Sequence, residues 1–324
     1  MIKKLKKISF ITLPIALGVF LIWYSLSKLT DNDFQSIEAS FRTANYWWVA
    51  LSLFFGILSH LSRAYRWQFL LEPLGYKPRL ANSIMAVLIA YLLNLVIPRS
   101  GEVARAASIK KYENIPFKKA FGTIVAERVA DVIMLFSIIG VAFFLQTKLL
   151  SSYFFKDNGG SSMYVKISLL IMLSIIGFFT FKFLKKSKNS FILKIVSFFN
   201  ELLEGVKSIY KMKKKWKFIF HTVFIWIMYV LMFYAVTFAL PETTNLPFAA
   251  IIVGFVVGGL SMALTNGGLG TYPIFVASAL ILYNVDDNPA RAFGWIMWTA
   301  QTIMVIVFGG LSFLLLPIYN KYQK

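Results

Sequence analysis

Six apolar runs, at roughly 8–29, 46–70, 120–146, 163–184, 218–240 and 291–317, constrain this chain more than any other feature in it. About 20 residues of α-helix at 1.5 Å each cross a hydrocarbon core of ~30 Å, so each run is long enough to span a bilayer. Backbone polar groups in lipid must be satisfied within the segment, which makes helix the form these runs take. Composition agrees, with 58% of residues hydrophobic and only 15% charged. The expected fold class is all-α: a polytopic integral membrane protein, with residues 1–324 forming a single transmembrane domain.

The chain contains no cysteine and two histidines, His60 and His221. Disulfides, thiol catalysis and a cysteine- or histidine-built metal centre are therefore excluded. No serine–histidine pair or Walker-type phosphate loop stands out, so neither catalytic residues nor a metal or other cofactor are expected. The net charge of +20 does not indicate nucleic acid, because the basic residues cluster between apolar runs, as loops facing an anionic leaflet do. The basic start before residues 8–29 imitates a signal peptide. The run is longer than a signal core and no small-x-small site follows, which predicts a retained first helix.

Two further pairs of apolar pieces are interrupted. Residues 81–97 are followed by a break at 98–101 and a short polar arm to about Lys111; residues 247–264 are followed by Asn266-Gly267-Gly268-Leu269-Gly270 and then 271–284. With both termini cytoplasmic and six full spans, the basic residues left outside are Lys28, Arg42, Lys148, Lys156, Lys166 and Arg291, with Arg128 in the membrane and the rest inside. This count makes the first pair a re-entrant hairpin dipping from the cytoplasm; by parity the second dips from outside, although its longer arms also allow full crossing. Hairpins from opposite faces predict an inverted repeat over 81–146 and 247–317. Lys119-Ala120-Phe121-Gly122 echoes Arg291-Ala292-Phe293-Gly294, with Pro116 and Pro289 just upstream.

Ionisable residues inside such a chain are the candidate site. A charge at the centre of a spanning helix costs about 2.5–3.5 kcal/mol on insertion scales, so buried charges pair or line a polar cavity. Glu127 and Asp131 share one helical face, with Arg128 about 100° round, and the first hairpin turn brings Arg99, Glu102 and Arg105 to a comparable depth. Arg128 with Glu102, or Arg99 with Asp131, would form a purely structural network. Alternatively, Arg99, Arg105 and Arg128 grip an anionic headgroup while the carboxylates balance charge or bind an amino group. A half-helix beginning near Glu102 would add free N–H groups and a positive dipole end. In the second turn, Gly268 and Gly270 permit a tight elbow, with Asn266 and Thr271 as polar donors.

His60, Arg63 and Trp67 share a helical face, with Arg66 near it, and read as a headgroup-level anchor or as a cytoplasmic lip to the cavity. Residues 185–217 carry Phe191, Ile195, Phe198, Phe199, Leu202, Val206 and Ile209 at helical spacing with lysines between them, which predicts an amphipathic helix on the inner leaflet or one packed on the protein.

Arg63-Ala64-Tyr65-Arg66-Trp67, Pro98-Arg99-Ser100-Gly101-Glu102-Val103-Ala104-Arg105, Glu127-Arg128-Val129-Ala130-Asp131 and Gly267-Gly268-Leu269-Gly270 occur in this order. Together they resemble the lysylphosphatidylglycerol synthase transmembrane-region family, also described as flippase-like membrane proteins, over nearly the whole chain. The resemblance implies a bacterial inner-membrane protein related to the flippase portion of multiple peptide resistance factors, which are thought to move aminoacylated phosphatidylglycerol between leaflets. It places Arg99, Glu102 and Arg105 in the first hairpin and Glu127, Arg128 and Asp131 on the helix facing it. Two departures bear on activity. The soluble aminoacyltransferase domain of the full synthases does not follow the last run, so lysyl transfer is not expected. Asn266 stands where related sequences often have proline, and Pro273 stands near where they carry an acid.

The expected function is therefore a lipid flippase or translocase. Its substrate would be an anionic or aminoacylated phospholipid, and its partners a separate lipid-modifying enzyme or a second copy of the chain. A membrane-embedded enzyme or accessory subunit acting on lipids or lipid-linked sugars is the alternative, and an interaction protein whose charges only pair with each other is a third.

Overall fold

The computed structural model describes Ala16, 19–25, Ser27, 29–146, Val196, Asn200, Lys207 and 209–321. The expected span at 163–184 and most of 8–29 and 185–217 lie outside the described residues. The chain forms two compact units, residues 1–127 with 216–324, and residues 128–215. Every regular element among the described residues is helical.

A short helix α1 (Asp31–Thr43) opens the continuous part. Thr30 caps it: its hydroxyl accepts from the Asp33 N–H while the Asp33 carboxylate accepts from the Thr30 N–H, so two orphan donors are satisfied. Asn45 caps α2 (Tyr46–Leu71) through the Trp47 N–H. Then come α3 (Leu80–Val96), α4 (Ser100–Glu113) and the long α5 (Phe117–Leu145). The second half holds α6 (Lys215–Thr237), α7 (Phe248–Leu264), α8 (Thr271–Ile281) and the 35-residue α9 (Asp287–Lys321).

These helices follow the apolar runs closely. Three of them, α5, α6 and α9, are long and apolar enough to cross a membrane. Their outer faces expose Phe136, Phe220, Ile306 and Leu314, among other large apolar side chains, which suits lipid and not water. This is a multi-pass membrane protein. Helix α2, at 26 residues, is longer than α6, at 23, but its buried residues include the polar Ser52, Ser59, His60, Ser62, Arg63 and Arg66.

Proline and glycine chemistry sets the breaks. Ile97 leaves the helical region for φ −128°, ψ 117° because the residue before a proline is pushed out of it. Arg99 then turns the chain in the left-handed region at φ 61°, and α4 folds back along α3. Gly101 lies so tightly on the Ala90 carbonyl that a β-carbon there would overlap it. In the second half the turn between α7 and α8 uses Gly267, Gly268 and Gly270, all at positive φ.

Helix α9 organises the first unit, packing against α1, α2, α3 and α8. Its contacts run in a clear order. Gly294 lies against the Pro273 backbone of α8, and the Trp298 indole N–H donates to the Gly267 carbonyl at 2.8 Å. Farther on, Gly309 sits against Leu88 and Leu92 of α3, and Asn320 exchanges hydrogen bonds with Asn82 at 2.8 and 3.0 Å. The first and last of these contacts are about 40 Å apart at helical rise. The two hairpins therefore approach along α9 from opposite ends and meet tip to tip near its middle.

The base of the first hairpin is riveted to α9. Arg79 donates to Glu113 at 2.9 Å, to the Tyr112 carbonyl at 3.2 Å and to Asn320 at 2.6 Å, and the Asn82 amide also donates to Glu113. On the other side, the apolar core gathers Phe233, Ile251, Tyr272, Val276, Leu280, Phe293 and Met297. Gly254 lets the Phe233 ring approach α7, and that ring meets Phe293 at 5.2 Å.

Candidate functional site

The tip of the first hairpin is tightly hydrogen-bonded. Asn94 is one of few polar residues in α3; its carbonyl oxygen accepts from the Gly101 N–H at 2.8 Å and its amide donates to Glu102 at 3.3 Å. The Ser100 hydroxyl donates back to the Leu93 and Ile97 carbonyls. The start of α4 thus spends its Gly101 N–H on Asn94 and places the Glu102 carboxylate in its first turn. Arg99 stands exposed at the turn.

Behind the tip lies a buried charge triad drawn from three helices. Arg105 of α4 donates from one terminal nitrogen to Glu127 Oε2 at 2.6 Å, and the other carboxylate oxygen is 3.6 Å from Arg66 of α2. Each guanidinium has a second anchor. Arg105 lies on the Trp67 ring, 3.7 Å from its centre, and the Trp67 indole N–H donates to the Thr123 hydroxyl at 2.8 Å. Arg66 donates to the Thr222 hydroxyl at 2.9 Å and sits over the Phe218 ring. Thr123 and Glu127 are one turn apart on α5, so a single helical face fixes both the stack and the ion pair.

Burial makes this arrangement consequential. Arg66 and Trp67 are fully buried, and Arg105 and Glu127 are 5% and 1% exposed. Removing one partner of such a pair leaves an uncompensated buried charge, at about 3–5 kcal/mol. Among the described residues the buried formal charges are Arg63, Arg66 and Arg105 against Glu127 and Asp131.

Arg128 projects from the next face of α5 with its side chain 48% exposed, and it lies 3.8 Å from Asp131 one turn on in its own helix. Glu127 is a carboxylate that binds the first hairpin, and Arg105 is its partner there. His60, Arg63, Arg66 and Trp67, read as a headgroup-level anchor or lip, are all buried. The His60 ring packs 4.2 Å from that of Tyr91, whose hydroxyl is 3.0 Å from that of Tyr229. The Ser62 hydroxyl is 2.8 Å from His221 Nδ1.

In the second turn the expected polar donor Thr271 is buried and engaged. Its hydroxyl donates to the Ser261 carbonyl at 3.0 Å and lies 2.8 Å from the Thr265 hydroxyl, tying the arms of the hairpin together. Gly268 and Gly270 form the elbow with Gly267, and Asn266 stands at its start. Gly267 packs against Leu95 of the first hairpin. No three His, Asp or Glu side chains converge as metal ligands among the described residues.

Sequence reasoning passed over Thr123, Thr222, Asn94 and Trp298 as site residues, and read Trp67 as part of a headgroup-level anchor or lip, not as the platform for Arg105. Thr222 and Thr123 carry no usable signal, because a lone threonine in an apolar helix marks no particular partner.

The family described as "Lysylphosphatidylglycerol synthase TM region" matches residues 11–310. A UPF0104 membrane protein of Methanocaldococcus jannaschii is 24% identical over 294 residues, covering 83% of this chain and 84% of that protein. The glycosyltransferase AglD of Haloferax volcanii is 32% identical over 94 residues, which is 29% of this chain and 15% of AglD. No solved structure matches.

Proposed function

Because the chain belongs to the lysylphosphatidylglycerol synthase transmembrane-region family, we propose that it carries a phospholipid with an anionic headgroup between the leaflets of the bacterial inner membrane. The chain performs no covalent chemistry on the lipid. Arg105 and Arg66 hold the phosphate, Glu127 balances them, and Arg99 at the hairpin tip meets the headgroup first. The observation that carries this reading is the convergence of two buried arginines, Arg66 and Arg105, on Glu127. Keeping such charge in lipid without a use is costly, and guanidinium forks match phosphate oxygens.

The two hairpins are re-entrant, dip from opposite faces and form an inverted repeat, with both termini cytoplasmic. This is supported by their approach to α9 from opposite ends and by the parallel order of short arm, turn, short arm and long helix in both halves. The uneven distribution of basic residues supports the orientation.

Leaflet transfer of fluorescent phosphatidylglycerol in proteoliposomes tests the proposal. Wild type should transfer, and folded Arg105→Ala at matched reconstitution should lose at least tenfold in rate. Normal transfer by Arg105→Ala would sink the role. The AglD similarity favours a second reading, an accessory role in lipid-linked sugar assembly; it predicts no transfer and an altered lipid-linked glycan in a deletion strain.

A further inference from the structure

We infer that the meeting of the two hairpin tips is a seal that opens, with Trp298 as its latch: Leu95 withdraws from Gly267, and a lipid headgroup passes between the tips. The inference rests on the lipid-carrier reading and supplies the conformational step that reading needs.

Polar bonding is spent inside each hairpin. In the first, Asn94 accepts from the Gly101 N–H, and Ser100 donates to the Leu93 and Ile97 carbonyls. In the second, Thr271 donates to the Ser261 carbonyl and meets the Thr265 hydroxyl, while Tyr272 packs on Gly258. Each hairpin is thereby built to move as one piece. The principal contact between the two is the elbow against α3, and there Leu95 rests on a glycine that offers no side chain. An aliphatic contact of this kind separates without stranding a polar group. Opening either hairpin would strand several.

A hydrogen bond from α9 holds the elbow at its side. The Trp298 indole N–H donates to the Gly267 carbonyl at 2.8 Å, and Gly268 lies against the same ring. Once that bond is released, the glycines of the elbow have backbone freedom that side chains would deny them. The junction also stands at an open edge of the fold. Leu95 is followed by Val96, 59% exposed, and then by exposed Ile97 and Arg99. A headgroup therefore reaches the tips without entering the packed core. Two internally fixed elements that meet at a small apolar contact suit a switch between two arrangements, the motion by which carriers built from repeats change access.

The chain contains no cysteine, so introduced thiols report on the junction without background. A β-carbon at position 267 would stand 3.9 Å from the Leu95 Cα, close enough for a disulfide. The full-length Leu95→Cys/Gly267→Cys variant, reconstituted with fluorescent phosphatidylglycerol, should lose leaflet transfer on oxidation and regain it on reduction. Unchanged transfer with the disulfide formed overturns the inference. Should the double variant fail to fold, Leu95→Cys alone decides. In right-side-out and inside-out membrane vesicles a membrane-impermeant maleimide should modify it from both faces, because an opening seal presents this position to each side in turn. Modification from one face only, or from neither, overturns the inference. Adding Trp298→Phe keeps the ring but removes the donor. It should speed that labelling by about fivefold, the factor that one hydrogen bond of ordinary net worth carries; an unchanged rate removes Trp298 as the latch. A wild type that moves no lipid removes the carrier reading alone, and the two-sided labelling still decides the seal.

Discussion

Leu95 and Gly267 touch where the two hairpin tips face each other: a β-carbon on Gly267 would lie 2.5 Å from Leu95 Cδ2. Gly267 also sits at φ 60°, which a side chain disfavours by about 1–2 kcal/mol. Gly267→Ala should therefore destabilise the protein by about 1–3 kcal/mol in thermal unfolding. Adding Leu95→Ala should return only the steric part, because the backbone strain remains.

Trp67 supplies a face to Arg105 and an N–H to Thr123. Trp67→Phe keeps the face and should cost about 1 kcal/mol for the lost hydrogen bond. Trp67→Leu loses both and opens a gap, so a cost of about 2–4 kcal/mol is expected. Unfolding of the two variants side by side checks the order. Equal losses would remove any special role for the aromatic face.

Asn320 and Asn82 satisfy each other at the base of the first hairpin, with Arg79 also bound to Asn320. Asn320→Leu strands buried donors and should cost about 1–3 kcal/mol. The double variant Asn82→Leu/Asn320→Leu should fall short of the sum of its two singles, since each mutation removes a group the other leaves unpaired. A simple sum would show the two amides to be energetically independent.

Outside the spanning helices, Asp33 gives a pH signature. Its carboxylate accepts from the Asn288 side chain at 3.0 Å, then from the Thr30 N–H and hydroxyl, and these bonds hold its pKa at about 2 against an ordinary 3.8. A depressed carboxylate stabilises the fold above the unfolded pKa, and that stabilisation is lost as pH falls from 3.8 through 2. Wild type minus Asn288→Ala in unfolding midpoint should be constant at neutral pH and shrink across this window. A gap that does not move with pH would mean Asn288 acts by packing alone.

Much of the fold was legible because its signals are local. Pro98 forces Ile97 out of the helix whatever surrounds it, and three glycines within four residues mark a turn that other residues would strain. The span boundaries follow from length and hydropathy. The site was less legible because its partners come together only in three dimensions. Glu127 and Arg128 are adjacent in sequence, yet neighbours on a helix point about 100° apart, so Glu127 pairs with arginines from two other helices. Trp67 carries the composition of a membrane-interface residue, and only packing reveals it as a buried platform. Helix α1 was missed for another reason: it is amphipathic and too polar to register as a span, although the Thr30–Asp33 cap announces its start.

The rivet at the foot of the first hairpin sets an order of assembly. Asn82 and Asn320 are 238 positions apart, so the ribosome finishes the hairpin long before it makes the residue that locks it. During that interval Arg79, Asn82 and Glu113 have no α9 to close on, and the hairpin is held by its own turn, by the bonds of Arg79 and Asn82 to Glu113, by α2 and by the Arg105–Glu127 pair to α5. Biogenesis of this protein is therefore late-closing. The end of α9 works as a keystone, and a nascent chain halted before residue 320 would present its insertion machinery with a hairpin whose base still lacks the Asn320 lock.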